Sequence, residues 1–322
     1  MRPNSQNSSS ELPASDLSGK SIVISVNPNS GSIDRTALVD DICRRLEESE
    51  FSVDVLSDVD QVVTRAGELS ESSDLRAVVA AGGDGTASLL ANRLPPGLPI
   101  AILPLGTENL LARHLGMSAD AQRFVDVIVS GRYIKMDAGR ANGKLFLVMA
   151  SCGFDAHVVE KLHQSRKGHI SYWSWFRPIL STLRRYRYPE LNITVDQGAD
   201  DQTDASEILT NSSARWAFVF NAPRYAMNLP LLPEADPYDG VLNLCSFRYG
   251  GLIRGMVYLA AVLLRKHRQW CKTEFCKFRK LTISSNSRVP FQLDGDPGGE
   301  LPVTIEVLPD YLTLLVPEKS SG

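Results

Sequence analysis

Residues 76–86 read Arg-Ala-Val-Val-Ala-Ala-Gly-Gly-Asp-Gly-Thr. After Arg76, the five residues Ala77–Ala81 form an apolar run of the kind that a parallel strand buried on both faces requires. They pass without a spacer into Gly82-Gly83-Asp84-Gly85-Thr86. Three glycines permit positive φ and let a ligand come close to the backbone. A helix is predicted to follow, from about Ala87 to Arg93, so successive N–H groups at its start would form a cradle for an anion. Thr86 adds a hydroxyl for a phosphate, and Asp84 is placed to orient a metal or its waters. A plain strand-to-helix turn capped by Asp84 would use similar residues. Its position directly after a buried strand favours phosphate binding.

The flanking segments extend the pattern. Lys20–Val26, KSIVISV, is β-branched and apolar, and it leads into the turn Asn27-Pro28-Asn29-Ser30-Gly31. Asp34–Glu50 carries Leu38, Ile42 and Leu46 at helical spacing. A strand is predicted at Phe51–Leu56 and a helix at Val59–Glu71. Downstream, the strand Pro99–Leu103 ends in Pro104-Leu105-Gly106-Thr107-Glu108-Asn109. Helices follow at Glu108–Leu115 and Asp120–Ser130, the first with Thr107 as its N-cap. Strand and helix alternate from 20 to 134, which predicts an α/β layer with a parallel sheet. Ligands in such sheets lie beyond the carboxyl ends of the strands, where the loops 27–31, 82–86 and 104–109 would all fall.

After about Lys135 the period changes. Short strands are predicted at 133–140, 144–152, 190–196, 215–221, 240–247, 278–284, 289–293, 303–307 and 311–316. They imply an antiparallel sheet or sandwich over 135–318, interrupted by helical stretches at 156–186 and 252–268. The acidic, polar segment 198–213 reads as a solvated loop. Residues 1–19 are rich in Ser, Asn and Pro and read as a disordered tail.

Composition removes several classes of function. The chain has 322 residues, with 34 Lys+Arg against 37 Asp+Glu. A net charge of −3 gives no support to a globally basic nucleic-acid binder. The five cysteines form no CxxC pair and are odd in number, so a disulfide scaffold is not expected and a cytoplasmic setting fits. No apolar run approaches the roughly 20 residues of a transmembrane helix, and the N-terminus has no signal-peptide core. His114 and His157 read as ordinary helix residues. Charge is nonetheless sorted along the chain. Residues 161–188 hold 7 basic and no acidic side chains, and residues 248–280 hold 9 basic and 1 acidic.

Taken together, NPNSG, GGDGT and PLGTEN resemble the diacylglycerol kinase catalytic-domain family, bacterial lipid kinases related to the sphingosine kinases. Gly153-Phe154-Asp155-Ala156, Asp236–Asn243 (DPYDGVLN) and Gln292–Asp296 (QLDGD) extend the likeness over about 20–318. The resemblance implies a Rossmann-like nucleotide-binding domain followed by a β-sandwich domain that receives lipid. It implies ATP and Mg²⁺ as cofactors. ATP contacts carried over by position are Asn27, Thr64, the stretch Gly82, Gly83, Asp84, Gly85, Thr86 and Ser88, and Gly106, Thr107 and Asn109. Thr64 matches only loosely.

The family places its catalytic base in the segment matched by Asp294-Gly295-Asp296. Asp294 ranks first and Asp296 second, because the family usually has Glu where Asp296 stands. The bland reading is a hairpin turn. Asp84 completes the catalytic set. Asp236, Asp239 and Val241 match a magnesium loop of bacterial relatives, and a simple turn is equally open. Asn221 is followed by APRYAMNLP, without the glycine cluster of those relatives.

The implied activity is transfer of the γ-phosphoryl group of ATP to a lipid hydroxyl, diacylglycerol first. A soluble-substrate kinase resembling NAD kinases is an alternative, although those lack the PLGTxN loop. A nucleotide or lipid sensor without turnover is another. The basic segments suggest a peripheral membrane surface, and Trp173 and Trp175 could face either a membrane or a core. Oligomeric state, a homodimer included, is left open.

Overall fold

A computed structural model describes residues 17–26, 36–164, 186–196, 212–223, 231–264, 266 and 273–318. The 1–16 part of the tail, the 27–31 turn with Asn27, and the tryptophans of 171–180 lie outside the described residues. Two compact units are formed. One comprises 1–106, 115–136 and 310–322; the other comprises 107–114 and 137–309.

The first unit is built on β1 (Ser21–Val26), α1 (Thr36–Glu48), β2 (Ser52–Leu56), α2 (Val59–Glu71), β3 (Leu75–Gly82), α3 (Asp84–Arg93) and β4 (Pro99–Pro104). Its strands run in the order β2-β1-β3-β4, all parallel. All eight residues of β3 are buried, as its apolar run dictates for a central strand. β2 lies at the edge and leaves Ser52 and Val55 exposed. α1 buries Val39, Ile42 and Leu46, so Val39 rather than Leu38 joins the stripe. Asp58 caps α2 by accepting from Gln61 N at 3.0 Å.

After α4 (Leu110–His114), helix α5 (Ala121–Ser130) returns to this unit. It is capped by Asp120 and ends at Gly131, whose φ of 64° is the left-handed C-terminal stop. Arg76 lies buried at that end. It donates to Ile128 O at 2.9 Å, Val129 O at 2.7 Å and Leu17 O.

The second unit contains β5 (Tyr133–Ala141, from Asp137 onward), β6 (Lys144–Phe146), β7 (Met149–Gly153), α6 (Phe154–Gln164), β8 (Leu191–Val195), β9 (Ser212–Ala214), β10 (Trp216–Phe220) and β11 (Leu242–Phe247). It continues through α7 (Leu252–Leu263), β12 (Thr273–Phe278), β13 (Lys280–Ser284), β14 (Pro290–Leu293), β15 (Asp296–Glu300) and the first part of β16 (Val303–Leu315). One sheet has the order β12-β11-β10-β7-β14-β15. Across from it, β16 pairs β13, β13 pairs β8 and β8 pairs β9, all antiparallel. Alternating residues fill the space between, among them Cys152, Val219, Leu244 and Phe291 from one layer and Ile193, Leu281, Ile283 and Ile305 from the other. This is the expected β-sandwich.

Several predicted boundaries differ, and β9, β12 and β15 stand where no separate strand was expected. The single strand expected over 144–152 breaks at Leu147 and Val148. The two strands expected at 303–307 and 311–316 are one strand, β16, with Asp310 at φ 51° within it. Its end returns to the first unit, where Thr313 and Leu314 pair in parallel with Pro99 and Ile100.

Candidate active site

In the first unit, β3 ends at Gly82 and α3 begins at Asp84, three residues earlier than predicted. Gly83 is the N-cap, without any side-chain cap hydrogen bond. Thr86 N and Ala87 N both turn back to Gly83 O, at 3.0 and 3.2 Å. Asp84, Gly85 and Thr86 thus form the first helical turn, with the dipole's positive end at the loop. None of Gly82, Gly83 and Gly85 has positive φ. The expected reason for the glycines is therefore corrected at Gly82, which is needed for space. A Cβ there would lie 2.6 Å from Thr86 Cβ and collide with its hydroxyl. Thr86 is folded back over the loop and buried, Gly85 is exposed, and Asp84 and Ser88 are half-buried.

The second loop is tied to the first by Leu105 N donating to Gly82 O at 2.8 Å. α4 starts at Leu110 rather than Glu108. Asn109 takes a left-handed φ of 49° just before it, so Thr107 is not the N-cap but an exposed loop residue beside half-buried Gly106. Thr64 sits exposed on α2 with its hydroxyl donating to Asp60 O at 3.0 Å.

In the second unit, Leu293-Asp294-Gly295-Asp296 makes the tight hairpin between β14 and β15. Asp294 and Gly295 have φ of 51° and 90°, the left-handed pair that a two-residue hairpin turn demands. The two aspartates are placed very differently. Asp294 Oδ2 accepts from Leu147 N at 2.7 Å. Its Oδ1 accepts from Val148 N at 2.9 Å and Met149 N at 3.0 Å. Asp294 N donates in turn to Met149 O at 2.9 Å. This carboxylate is what interrupts the strand expected over 144–152, because it takes the N–H groups a ladder would have used. Asp296 is exposed at the start of β15. Behind the turn, buried Gln292 accepts from Gly295 N at 2.7 Å and donates to Ser151 Oγ at 2.9 Å, while Ser151 donates to Asp155 Oδ2 at 2.6 Å.

The loop 236–241 is held from inside. Buried Asp137 accepts from Gly240 N at 2.7 Å and donates its own N–H to Pro237 O at 2.8 Å. Asn221, fully buried, donates to Asp137 O and Leu147 O, both at 2.8 Å. Burial, with Asp236 and Asp137 nearby, pushes the Tyr238 phenol up to about 12, and its ring stacks on His114 with centroids 6.1 Å apart. Asp236 accepts from Tyr238 N, and Asp239 from Val241 N, both at 3.2 Å. Asp239 also pairs with Lys277 at 2.7 Å. A hard cation takes several oxygens, usually with a free carboxylate among them. Here an ammonium occupies Asp239 and Pro237 O is already bonded. Among the described residues no three His, Cys, Asp or Glu side chains converge. With Lys277 on Asp239, a cation here would have to displace that ammonium and draw its oxygens from Asp236, Asp239 and backbone carbonyls such as that of Val241. Chelation should leave the melting temperature of the nucleotide-free protein unchanged in calorimetry; a clear fall would show that the loop carries a cation.

Sequence reasoning missed Asp137 and Ser151, and gave Asn221 and Gln292 no role beyond their place in matched segments. They bear no loop signature and act from within strands or at strand ends. Asp155 was noticed only as part of a matched segment. It also missed the buried, unpartnered carboxylate oxygen of Glu108.

The comparisons with known proteins agree with this layout. The family model of the diacylglycerol kinase catalytic domain matches residues 21–141. That of the YegS C-terminal NAD kinase beta sandwich-like domain matches 148–316. A diacylglycerol kinase of Staphylococcus carnosus is 25% identical over 308 residues, covering 91% of this chain and 94% of the relative. One from Staphylococcus saprophyticus is 24% identical over 303 residues, covering 90% and 93%. A crystal structure from Bacillus anthracis str. Sterne shares the fold with a TM-score of 0.71 at 20% identity, over 98% of both chains. A strand-to-helix glycine loop in a parallel sheet, a β-sandwich carrying an Asp-Gly hairpin, and two family models that together span most of the chain lead to one assignment: the chain belongs to the diacylglycerol kinase family, with that family's catalytic domain joined to a YegS-type C-terminal domain.

Proposed function

We propose that the protein is a lipid kinase that transfers the γ-phosphoryl group of Mg²⁺-bound ATP to the hydroxyl of diacylglycerol or a related lipid. The observation that carries this reading is the glycine loop at the end of β3, whose first helical turn opens beside it, in a chain of this family. Phosphoryl transfer asks mainly for positioning and charge neutralisation. The N–H groups of 83–85 and the second loop hold the phosphates, and Asp84 orients the nucleotide's own Mg²⁺, which enters with ATP as substrate. The lipid oxygen attacks the γ-phosphorus, the new O–P bond forms, the bond to the β-phosphate oxygen breaks and ADP leaves. Asp296 takes the hydroxyl proton. Asp294 is not assigned that role, since three backbone N–H groups already occupy its carboxylate.

The test is purified protein with radiolabelled ATP and Mg²⁺ against diacylglycerol, monoacylglycerol, ceramide, sphingosine, phosphatidylglycerol and NAD. Labelled lipid that disappears with Asp84→Asn, without a change in melting temperature, is the expected result. Labelled NAD would point to the soluble-substrate alternative. Nucleotide binding with no labelled product would point to a sensor.

A further inference from the structure

Helix α7 is apolar almost all round, a composition that normally marks a helix buried on every side. Among its described side chains one stripe is buried: Gly255, Tyr258 and Ala261. Tyr258 packs edge-on to Trp216 at 5.6 Å and against Phe247 at 4.7 Å. On the other side Ile253 is 72% exposed and Leu264 59%, with Met256, Val257 and Leu263 also open to solvent. Arg254 is the only charged residue between Leu252 and Leu264.

Beside the start of this helix lies an open cleft of about 720 Å³. Arg187, Arg215, Arg248 and Arg254 line it together with Tyr188 and Tyr249, and among the described residues no carboxylate does. Among the described residues neutralisation is incomplete. Arg215 meets Glu190 at 3.4 Å and Arg248 meets Glu274 only at 3.9 Å. Arg254 lies 5.1 Å over the Tyr249 ring rather than on a carboxylate.

Two features coincide here: protruding apolar side chains, and guanidiniums at their rim. We propose that α7 and the arginine cleft form a docking surface for an anionic phospholipid bilayer, with α7 lying in the interface and the arginines receiving lipid phosphates. Apolar side chains enter the acyl boundary while cations stay at headgroup level. A guanidinium fits a phosphate by paired N–H donation. A second copy of this chain fits the surface less well, because a two-fold contact would set arginines against arginines. The choice of occupant rests on the lipid-kinase reading, since a lipid substrate resides in a bilayer. The docking itself needs no nucleotide.

The test is co-sedimentation of the full chain, without ATP, with vesicles of phosphatidylcholine alone and of phosphatidylcholine with phosphatidylglycerol. Wild type should partition onto the anionic vesicles, and added salt should weaken this. Arg248→Ala with Arg254→Ala should lower partitioning about thirtyfold, and Ile253→Ser with Met256→Ser at least about tenfold. Equal binding to both vesicle types, or unchanged binding by both double variants, overturns the proposal. So does a wild-type dimer that the Ile253/Met256 variant dissolves with no loss of vesicle binding. A fall in that variant's melting temperature with vesicle binding intact overturns it too, since another part of the chain would then cover the face. Saturable binding of inorganic phosphate without vesicle binding would assign the cleft to a soluble anion instead. Kinase activity on detergent-dispersed lipid is assayed in parallel, so the docking surface and the catalytic reading fail separately.

Discussion

Asp294→Ala should unfold the second unit more readily than any surface change in it, and lower the melting temperature by about 10 °C. The side chain accepts from three successive N–H groups, those of Leu147, Val148 and Met149. All three residues are buried, so alanine leaves their donors without water or partner. Each orphaned buried donor costs roughly 1–3 kcal/mol. The three share one acceptor, so the costs do not simply add, and about 4 kcal/mol in total is expected. Asp294→Asn, with one carbonyl oxygen left, should fall between alanine and wild type. Calorimetry decides the matter. A melting temperature for Asp294→Ala within a degree or so of wild type would mean that the carboxylate does not fasten this hairpin.

Asp296→Asn should do the opposite: leave stability within about 0.5 kcal/mol and cut kcat by about 10²–10⁴-fold. Asp296 is exposed two residues along the same turn, so its amide isostere disturbs no packing. What it removes is the capacity to accept a proton from the lipid hydroxyl. KM for ATP should hardly move, because that residue has no part in holding phosphates. Asp296→Glu should retain activity, as a carboxylate remains on a longer arm. Full turnover by Asp296→Asn would place the base elsewhere. Measured side by side, the two aspartates separate anchoring from chemistry within three residues.

Much of the fold was legible. The central strand β3 announced itself by the apolar run Ala77–Ala81, and the helices expected at 59–71 and 120–130 lie there to within a residue. The antiparallel half followed from alternation. What escaped were the places where a side chain overrides a local pattern. Lys144–Cys152 reads as one strand, and nothing in those residues reveals that a carboxylate far along the chain takes three of its N–H groups. The pairing of Asp239 with Lys277 is equally invisible, since neither residue carries a spacing signal towards the other. In the same way Gly82 advertised backbone freedom, whereas its use is to leave room for Thr86. The ranking of Asp294 over Asp296 rests on the Glu that the family usually has where Asp296 stands; the hydrogen bonds of Asp294 and the exposure of Asp296 argue for the reverse order.

The path of β16 bears on how the molecule is made. The first unit owes one of its strands to residues 310–315, which follow the whole of 137–309 in the chain. During synthesis β1 to β4 therefore emerge long before their last neighbour. In that interval β4 presents an open edge to which another nascent chain could add. Domains made in sequence normally fold in sequence. Here the first to emerge is the last to be closed, and a fragment cut at 134 would leave that edge unpaired for good.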